Sequence, residues 1–112
     1  MDCIFCKIAA GEITSQVVFE NEWVFDFRDI NPQAPVHVLV IPRVHIDSCD
    51  GVNAENSVYL QKIFEAIPEI AQKEGLANGY RVITNCGKDG CQSVGHLHFH
   101  VLGGKKLPEQ MA

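Results

Sequence analysis

The segment His96-Leu97-His98-Phe99-His100-Val101-Leu102 constrains the fold most, because imidazole and apolar side chains alternate along it. Successive side chains of a β-strand point to opposite faces of a sheet, so a period of two predicts a half-buried strand. The three histidines then share one face, while Leu97, Phe99 and Val101 point into a core. Side chains on one face lie roughly 6 to 7 Å apart, so neighbouring imidazoles can address one phosphate-sized group.

Four further runs rich in β-branched, aromatic and other apolar residues predict strands, and these cover residues 17–20, 23–28, 36–41 and 80–85. The run from Val36 to Ile41 is nearly continuous in apolar character, as in a central strand covered on both faces. Asn21 and Glu22 separate the first two strands and indicate a hairpin. Short connections of this kind predict an antiparallel sheet.

Two helices are predicted beside these strands. A short one covers residues 3–10, with Asp2 as its cap and Gly11 as its terminator. From Asn53 onward, apolar residues recur at helical spacing until Gly75, which predicts one long helix. Pro68 lies inside that pattern, so this helix is expected to kink or to divide in two.

The predicted fold class is therefore α+β: a five-stranded antiparallel sheet with one long helix and a short N-terminal helix, in one domain over residues 1–112. Composition agrees, since 46% of the residues are hydrophobic and 21% are charged. The formal charge of -5 argues against a surface that coats nucleic acid or anionic lipid. Neither a secretory leader nor a long apolar run is visible, so we expect a cytoplasmic protein without a membrane partner.

The histidine face is compatible with two kinds of chemistry. His-x-His on a strand is a common way to hold zinc or iron. Imidazole is also neutral and nucleophilic near pH 7, which suits covalent and acid–base catalysis. The preceding stretch, residues 85–95, combines glycines with amides and a hydroxyl and could aim hydrogen-bond donors at an anion. Spacing alone does not decide between these two possibilities.

Three stretches together carry a family resemblance. The histidine segment, preceded by Gln92-Ser93-Val94, resembles the signature of the histidine triad (HIT) family. Residues 27–37 (FRDINPQAPVH) and 39–46 (LVIPRVHI) are similar to its nucleoside phosphoramidase branch, and residues 4–8 (IFCKI) also fit. The resemblance covers almost the whole chain and implies the HIT fold, with two copies forming a homodimer whose sheets are continuous.

The resemblance also implies a reaction. His98 would attack the α-phosphorus of a purine nucleoside 5′-phosphoramidate, or of a related AMP or GMP derivative, and form a nucleotidyl-histidine that water hydrolyses to the monophosphate. His100 would contact the phosphate oxygens and His37 would orient that ring. Ser93 would contact the leaving group. No metal is required for these steps.

A nucleotide-binding set follows from the same resemblance. Asp29 would accept hydrogen bonds from the ribose hydroxyls, and apolar side chains would enclose the purine. Polar side chains would hold the phosphate and ribose beside Ser93, His98 and His100. The apolar set is Phe5, Ile8, Phe27 and Ile30, and the further polar set is Asn85 and Gln92.

Cysteines provide a second expectation. Cys3-x-x-Cys6 alone could be half of a metal site, a redox pair or a chance spacing. The resemblance implies a structural zinc held by Cys3, Cys6, His45 and His96. The other cysteines, Cys49, Cys86 and Cys91, receive no role.

The chain departs from the family pattern in the loop before the triad and at its end. Gly95 stands where a bulkier residue is common, and Cys91 stands where glycine is usual. The segment 105–112 lacks an aromatic residue that completes the leaving-group pocket of the partner subunit in some members. These differences concern leaving-group preference more than the chemistry.

Three alternatives stay open at this point. One is a dinucleoside polyphosphate hydrolase with a similar triad. Another is a purine nucleotide-binding protein without catalysis. The last is a metalloenzyme that uses all three triad histidines as ligands.

Overall fold

The computed structural model describes residues 3–110, which form two α-helices and five β-strands. In chain order they are α1 (Ile4–Ala9), β1 (Val17–Glu20), β2 (Val24–Arg28), β3 (Val36–Pro42), α2 (Ser57–Lys73), β4 (Tyr80–Ile83) and β5 (Phe99–Gly103). A 3-10 turn, Cys49–Gly51, precedes α2. The predicted α+β class is confirmed. No helix of the described residues is long and apolar enough to cross a membrane.

The strands form one antiparallel sheet in the order β1-β2-β3-β5-β4. β5 lies between β3 and β4, so His100 has Leu39 on one side and Ile83 on the other. The second half of the histidine segment therefore lies in an inner strand of the sheet. This placement holds its backbone from both sides.

The strand predicted to start at His96 begins only at Phe99. Before it, the Leu97 N–H donates to the Ile46 carbonyl (2.6 Å) rather than to a neighbouring strand, so the ladder starts later. The predicted alternation of side chains is confirmed, because Leu97, Phe99 and Val101 all lie in the core that α2 covers.

The two faces of the sheet are covered by different helices. α2 packs its buried side chains, such as Ile63, Ile67 and Ile70, against one face. Burial of an aliphatic side chain of this size contributes about 1.5 to 3 kcal/mol. On the other face, Phe5 and Ile8 of α1 pack against the apolar side chains Phe25, Phe27, Leu39 and Ile41. The histidines lie on this second face.

α1 begins at Ile4, one residue later than predicted, and its N-cap is Cys3, whose Sγ accepts the Cys6 N–H (3.3 Å). The predicted cap, Asp2, lies outside the described residues. Gly11 ends the helix as predicted: its φ of +81° is readily adopted only without a side chain.

α2 starts at Ser57 rather than near Asn53, because the Asn53 side chain forms a turn that accepts the backbone N–H groups of Glu55 and Asn56. The helix continues through Pro68 without dividing, which corrects one of the two outcomes predicted for that residue. Gly75, at φ +74°, ends it.

Boundaries of three other strands also differ from the prediction, and β3 continues to Pro42 instead of ending at Ile41. β2 starts at Val24, since Asn21 Oδ1 accepts the backbone N–H groups of Trp23 and Val24. β4 ends at Ile83 instead of continuing to residue 85.

Candidate functional site

His37 and His100 form a hydrogen-bonded pair on neighbouring strands. The Gln33 backbone N–H donates to His37 Nδ1 (3.0 Å), so the neutral His37 ring carries its proton on Nε2. That proton is donated to His100 Nδ1 (2.8 Å), which leaves the His100 proton on Nε2. Asp29 Oδ2 lies 3.5 Å from His37 Nε2. The loop before β3 thus makes the outer nitrogen of His100 a hydrogen-bond donor.

His98 has the opposite tautomer. Its Nδ1 lies 2.7 Å from the His96 carbonyl oxygen, which can only accept, so Nδ1 carries the proton and Nε2 carries a lone pair. The ring is almost fully buried and contacts Phe5 edge-on, with the ring centroids 5.1 Å apart. The His98 and His100 rings are also 5.1 Å apart. A nucleophilic nitrogen therefore lies beside an N–H donor.

Burial keeps the His37 and His100 imidazoles neutral. It lowers the pKa of His100 to about 4, and the neighbouring His98 and His37 rings add to the shift while Asp29 opposes it. Burial also lowers the pKa of His37, again against the pull of Asp29. Near pH 7 both rings are neutral, as the tautomers above require.

A cavity of about 340 Å³ opens beside His98 and His100. It is mainly apolar, and Asp29 and Ser93 contribute polar groups at its wall. Most of the predicted nucleotide-binding residues line it, namely Phe5, Ile8, Phe27, Asp29, Ile30, Ser93, His98 and His100. The sheet, α1 and two loops therefore bring these dispersed residues together.

Asn85 and Gln92 lie elsewhere. Gln92 uses its side chain within the protein: Nε2 donates to the carbonyls of Asp47 and Val94, and Oε1 accepts the Gly87 N–H. Asn85 lines a different cavity, which His100 also borders. In this arrangement Gln92 braces the loop that carries Ser93.

Two departures from the family pattern lie in the same loop. Cys91 adopts φ +60°, a conformation that favours glycine, so the side chain is held in a sparsely populated backbone region. Gly95 has open space where a Cβ would be. A Cβ atom at residue 95 therefore meets no steric obstacle.

The predicted metal ligands converge as a second cluster. One ligand atom each from Cys3, Cys6, His45 and His96 lies within 4.8 Å of the others. His96 Nδ1 is 3.2 Å from Cys3 Sγ and 3.5 Å from Cys6 Sγ, and His45 Nδ1 is 3.4 Å from Cys6 Sγ. Two thiols and two imidazoles are a donor set that zinc accepts.

The outer nitrogens of both histidines are already bound. His96 Nε2 donates to the Pro42 carbonyl (3.1 Å), and His45 Nε2 donates to Asp47 Oδ1 (2.7 Å). Each ring therefore presents the lone pair of Nδ1 to the thiols. Hydrogen bonds to the outer nitrogen fix histidine ligands in this way in metal sites. The residues present fit a tetrahedral metal ion.

Electrostatics explain what an ion would add to this cluster. Burial and the adjacent Cys3 thiol raise the pKa of Cys6 to about 11, and burial lowers the pKa of His96 to about 4. The imidazole is thus already in its ligating form, whereas a thiol must lose its proton to bind a metal. A divalent cation compensates the thiolate charge.

A further group of potential ligands does not fit a metal. Atoms of Asp29, His37 and His100 also lie within 4.8 Å of one another. However, ligation through His37 Nε2 would place a proton on Nδ1, where the Gln33 N–H already points. The three triad histidines cannot share one ion either. The nitrogens of His96 face the thiols and the Pro42 carbonyl, away from His98 and His100.

Sequence reasoning did not identify several groups that shape these sites. The Gln33 N–H and the carbonyls of Pro42 and His96 are backbone groups, which residue identity does not reveal. Asp47, by contrast, is an acidic side chain two positions after a predicted metal ligand, and that spacing could have indicated its role.

The comparisons with known proteins identify the family. A model described as HIT domain matches residues 10–107. The chain belongs to the HIT domain family. This HIT chain is 42% identical over 112 residues to the purine nucleoside phosphoramidase of Escherichia coli K12, covering 99% of this chain and 94% of that protein. It is 46% identical over 107 residues to the 14 kDa zinc-binding protein of Zea mays, covering 93% of this chain and 83% of that protein.

A solved structure agrees with this fold. The histidine triad protein from Clostridium difficile superposes on this HIT protein with a TM-score of 0.95 at 49% sequence identity, covering 99% of this chain and 97% of that one. The predicted resemblance to the family is thereby confirmed.

Proposed function

We propose that this HIT protein hydrolyses purine nucleoside 5′-phosphoramidates, or related AMP or GMP derivatives, to the nucleoside monophosphate. One observation carries the proposal: the hydrogen bonds of His98 and His100 leave a lone pair and an N–H donor side by side at the wall of one cavity. The 42% identity to a purine nucleoside phosphoramidase supports the substrate class.

In the first step, His98 Nε2 attacks the α-phosphorus and forms a P–N bond to the imidazole. The bond from phosphorus to the leaving amine breaks, and its electron pair stays on the amine nitrogen. Ser93, which lines the cavity, passes a proton to that nitrogen. His98 Nδ1 keeps its proton and donates a hydrogen bond to the His96 carbonyl, which stabilises the charge that develops on the ring.

In the second step, water attacks the same phosphorus and releases His98 as a neutral imidazole. The oxygen of the water enters the monophosphate, and its protons return to Ser93 and to solvent. His100 Nε2–H donates to a phosphate oxygen throughout, and His37 holds this donor in place. Division into two displacements gives each a good leaving group.

The cavity wall fits a purine nucleoside. Phe5 and Phe27 pack edge-on, with ring centroids 5.5 Å apart, and offer an aromatic wall to the base. The Asp29 carboxylate is suited to the two hydroxyls of a ribose. Asp29 Oδ1 already accepts the Asn31 N–H (2.8 Å), which fixes the carboxylate orientation.

We also propose that Cys3, Cys6, His45 and His96 hold a structural zinc ion. The donor set and the two outer hydrogen bonds described above support this assignment. The zinc-binding relative from maize is consistent with it. A bound ion would tie α1 to the segment before β5, with no part in the displacement.

Two copies are proposed to pair as a homodimer with a continuous sheet. β4 is an edge strand of the sheet, and large apolar side chains are exposed nearby on β4 and on α2, namely Tyr80 and Phe64. We place the protein in the cytoplasm, because five free cysteines suit a reducing compartment. We propose that it acts on small nucleotides and not on nucleic acid. The 112 residues would form one HIT domain.

Trapping the covalent intermediate tests the proposed function. Wild-type protein mixed with an adenosine 5′-phosphoramidate should gain the mass of one adenylyl group, and His98→Ala should not. Turnover by His98→Ala should fall by at least about a thousandfold. Glu55→Gln, an exposed substitution remote from the cavity, serves as the matched control.

The same assay separates the alternatives. Faster cleavage of a dinucleoside polyphosphate would favour the polyphosphate hydrolase, and nucleotide binding without an adduct would favour a non-catalytic protein. Immediate loss of turnover on adding a chelator, while the fold persists, would favour a metalloenzyme. Wild-type turnover by His98→Ala would contradict the proposal.

A further inference from the structure

The Ser93 hydroxyl, which the proposed reaction uses as proton donor, is not held by a hydrogen bond of its own to any of residues 3–110. Ser93 lines the cavity of His98 and His100 and is exposed there. Its position therefore depends on how the backbone on either side of it is held. Misplacing a reacting group by roughly 1 Å is enough to slow a reaction about a hundredfold.

The side chain of Gln92 holds both neighbours of Ser93. Its Nε2 donates to the Val94 carbonyl (2.9 Å), so the side chain reaches past Ser93 to the next residue. Its Oε1 accepts the Gly87 N–H (3.0 Å), and the Gln92 backbone N–H donates to the Gly87 carbonyl (3.1 Å). Gln92 therefore closes the loop 87–92 and fixes the backbone before and after the hydroxyl.

The same side chain fastens this loop to a distant segment. Gln92 Nε2 also donates to the Asp47 carbonyl (2.7 Å), 45 positions away in the sequence. Asp47 is itself held, because its Oδ1 accepts a hydrogen bond from His45 Nε2 (2.7 Å). The loop that carries Ser93 is thus anchored on a part of the chain that does not line the cavity.

Strain makes the loop depend on these hydrogen bonds. Cys91, next to Gln92, is held at φ +60°, which is sparsely populated by residues with a side chain. Its N–H donates to the Lys88 carbonyl (3.1 Å), so the turn is closed within the loop as well. When the Gln92 side chain is removed, Cys91 is free to relax and the backbone at Ser93 moves with it.

The Gln92 amide has no donor left for a substrate. A carboxamide nitrogen carries two protons, and these go to the carbonyls of Asp47 and Val94. The opposite orientation of the amide would set its oxygen against the same two carbonyl oxygens, so the hydrogen bonds define which atom is nitrogen. In this arrangement Gln92 does not donate to a phosphate oxygen.

We propose that Gln92 is a positioning residue for proton transfer: it places the Ser93 hydroxyl beside the leaving nitrogen and does not bind the phosphate. The inference rests on the proposed function and replaces the phosphate-holding role that the family resemblance implies for Gln92. It concerns the first displacement, in which the P–N bond to the amine breaks, the electron pair stays on nitrogen, and that nitrogen takes the Ser93 proton. Water restores this proton in the second displacement.

Two substrates that share adenosine 5′-phosphate and differ in the leaving group test the inference. A pentylamine phosphoramidate needs a proton on the departing nitrogen, whereas a 4-nitrophenyl ester releases a stable phenolate without one. Gln92→Met keeps the length of the side chain and loses its hydrogen bonds. It should lower kcat/KM about a hundredfold for the phosphoramidate and less than about threefold for the ester.

A double variant tests whether Gln92 acts through Ser93. Ser93→Ala removes the proton donor and should show the same selective loss with the phosphoramidate. Adding Gln92→Met to Ser93→Ala should then cause no further loss, because a misplaced donor and an absent donor affect the same step. Losses that multiply in the double variant would overturn the inference.

Gln61→Met serves as the matched control, since Gln61 is exposed on α2 and its Nε2 donates to Glu65 Oε2 (3.0 Å). This variant should keep the wild-type kcat/KM with both substrates. If Gln92→Met fails to fold, Gln92→Glu provides the same test. It keeps an acceptor for the Gly87 N–H, loses both donors and should show the same selective loss.

An equal loss with both substrates is the result expected of a residue that holds the phosphate. That result, or unchanged turnover by Gln92→Met, would overturn the inference and leave the proposed function standing. Absence of turnover of both substrates by wild-type protein would overturn both.

Discussion

The two faces of the sheet bury polar groups in different ways. On the histidine face, His37, His96 and His98 are almost fully buried, and each donates or accepts at least one hydrogen bond of known direction. On the helix face, Asp26 is also fully buried, but neither carboxyl oxygen has a hydrogen-bond partner in the described part of the chain. These buried histidines are thus hydrogen-bonded on the face that carries the candidate chemistry, whereas the buried carboxyl on the opposite face has no hydrogen-bond partner among the described residues.

The difference has opposite consequences for protonation. Burial raises the pKa of Asp26 to about 8, against a smaller opposing effect of Arg43. Burial lowers the pKa of His100 to about 4 and also lowers that of His37. Both faces therefore favour the uncharged form of the buried group. For an acid and a base, this preference gives stability profiles of opposite slope.

The largest expected effect comes from dismantling the metal cluster on the histidine face. Cys6→Ser should lose the proposed zinc and lower the free energy of unfolding by more than about 3 kcal/mol. Metal analysis together with urea unfolding measures both changes. Cys49→Ser alters an exposed thiol outside the cluster and should change neither. A Cys6→Ser protein that retains one zinc per chain would show that this cluster is not the metal site.

The next largest effect is expected from removing the Asp26 carboxyl, which has no hydrogen-bond partner among the described residues. Folded Asp26 keeps a proton that the unfolded chain releases, so this residue's contribution to stability is complete below about pH 4 and is lost as the pH rises to about 8. Asp26→Asn cannot ionise, and its stability relative to wild type should rise by on the order of 1 kcal/mol per pH unit across that range.

Denaturant unfolding at pH 5, 6 and 7 measures this relative stability. Asp89→Asn, at an exposed loop position, is the matched control and should follow the wild-type profile. A constant difference between Asp26→Asn and wild type at all three pH values would mean that Asp26 is ionised in the folded protein.

The smallest expected effect is the contribution of the buried histidines to the pH dependence of stability, which has the opposite slope to that of Asp26. Folded His37 and His100 resist protonation that the unfolded chain accepts, so their contribution is present above about pH 6.5 and is lost as the pH falls. In the Asp26→Asn background, His100→Gln should make the loss of stability between pH 6.5 and pH 4.5 less steep. Identical slopes with and without His100 would contradict the assigned neutral state.

Local patterns predicted much of this arrangement. The alternation at residues 96–102 indicated which side chains enter the core, and the family resemblance indicated the four residues of the metal cluster. Asp26 was not foreseen, because a charged residue in a short alternating run is usual on a solvent face. Its burial depends on α2 covering that face, which is a tertiary property.

The tautomers could not have been predicted from residue types. They depend on the Gln33 N–H and the His96 carbonyl, and any residue can supply a backbone group. Backbone geometry, rather than residue identity, determines these tautomers.

The contact between Cys3 and His96 joins positions 93 residues apart in a chain of 112. A metal bound there would act as a removable cross-link that closes nearly the whole chain into a loop. In the chain-entropy model, closing a loop of about 100 residues removes about 4.7 kcal/mol of unfolded-state freedom when the link is covalent. Metal availability would then control how far the two ends of the protein can separate, and with it the rate at which a protease reaches the interior.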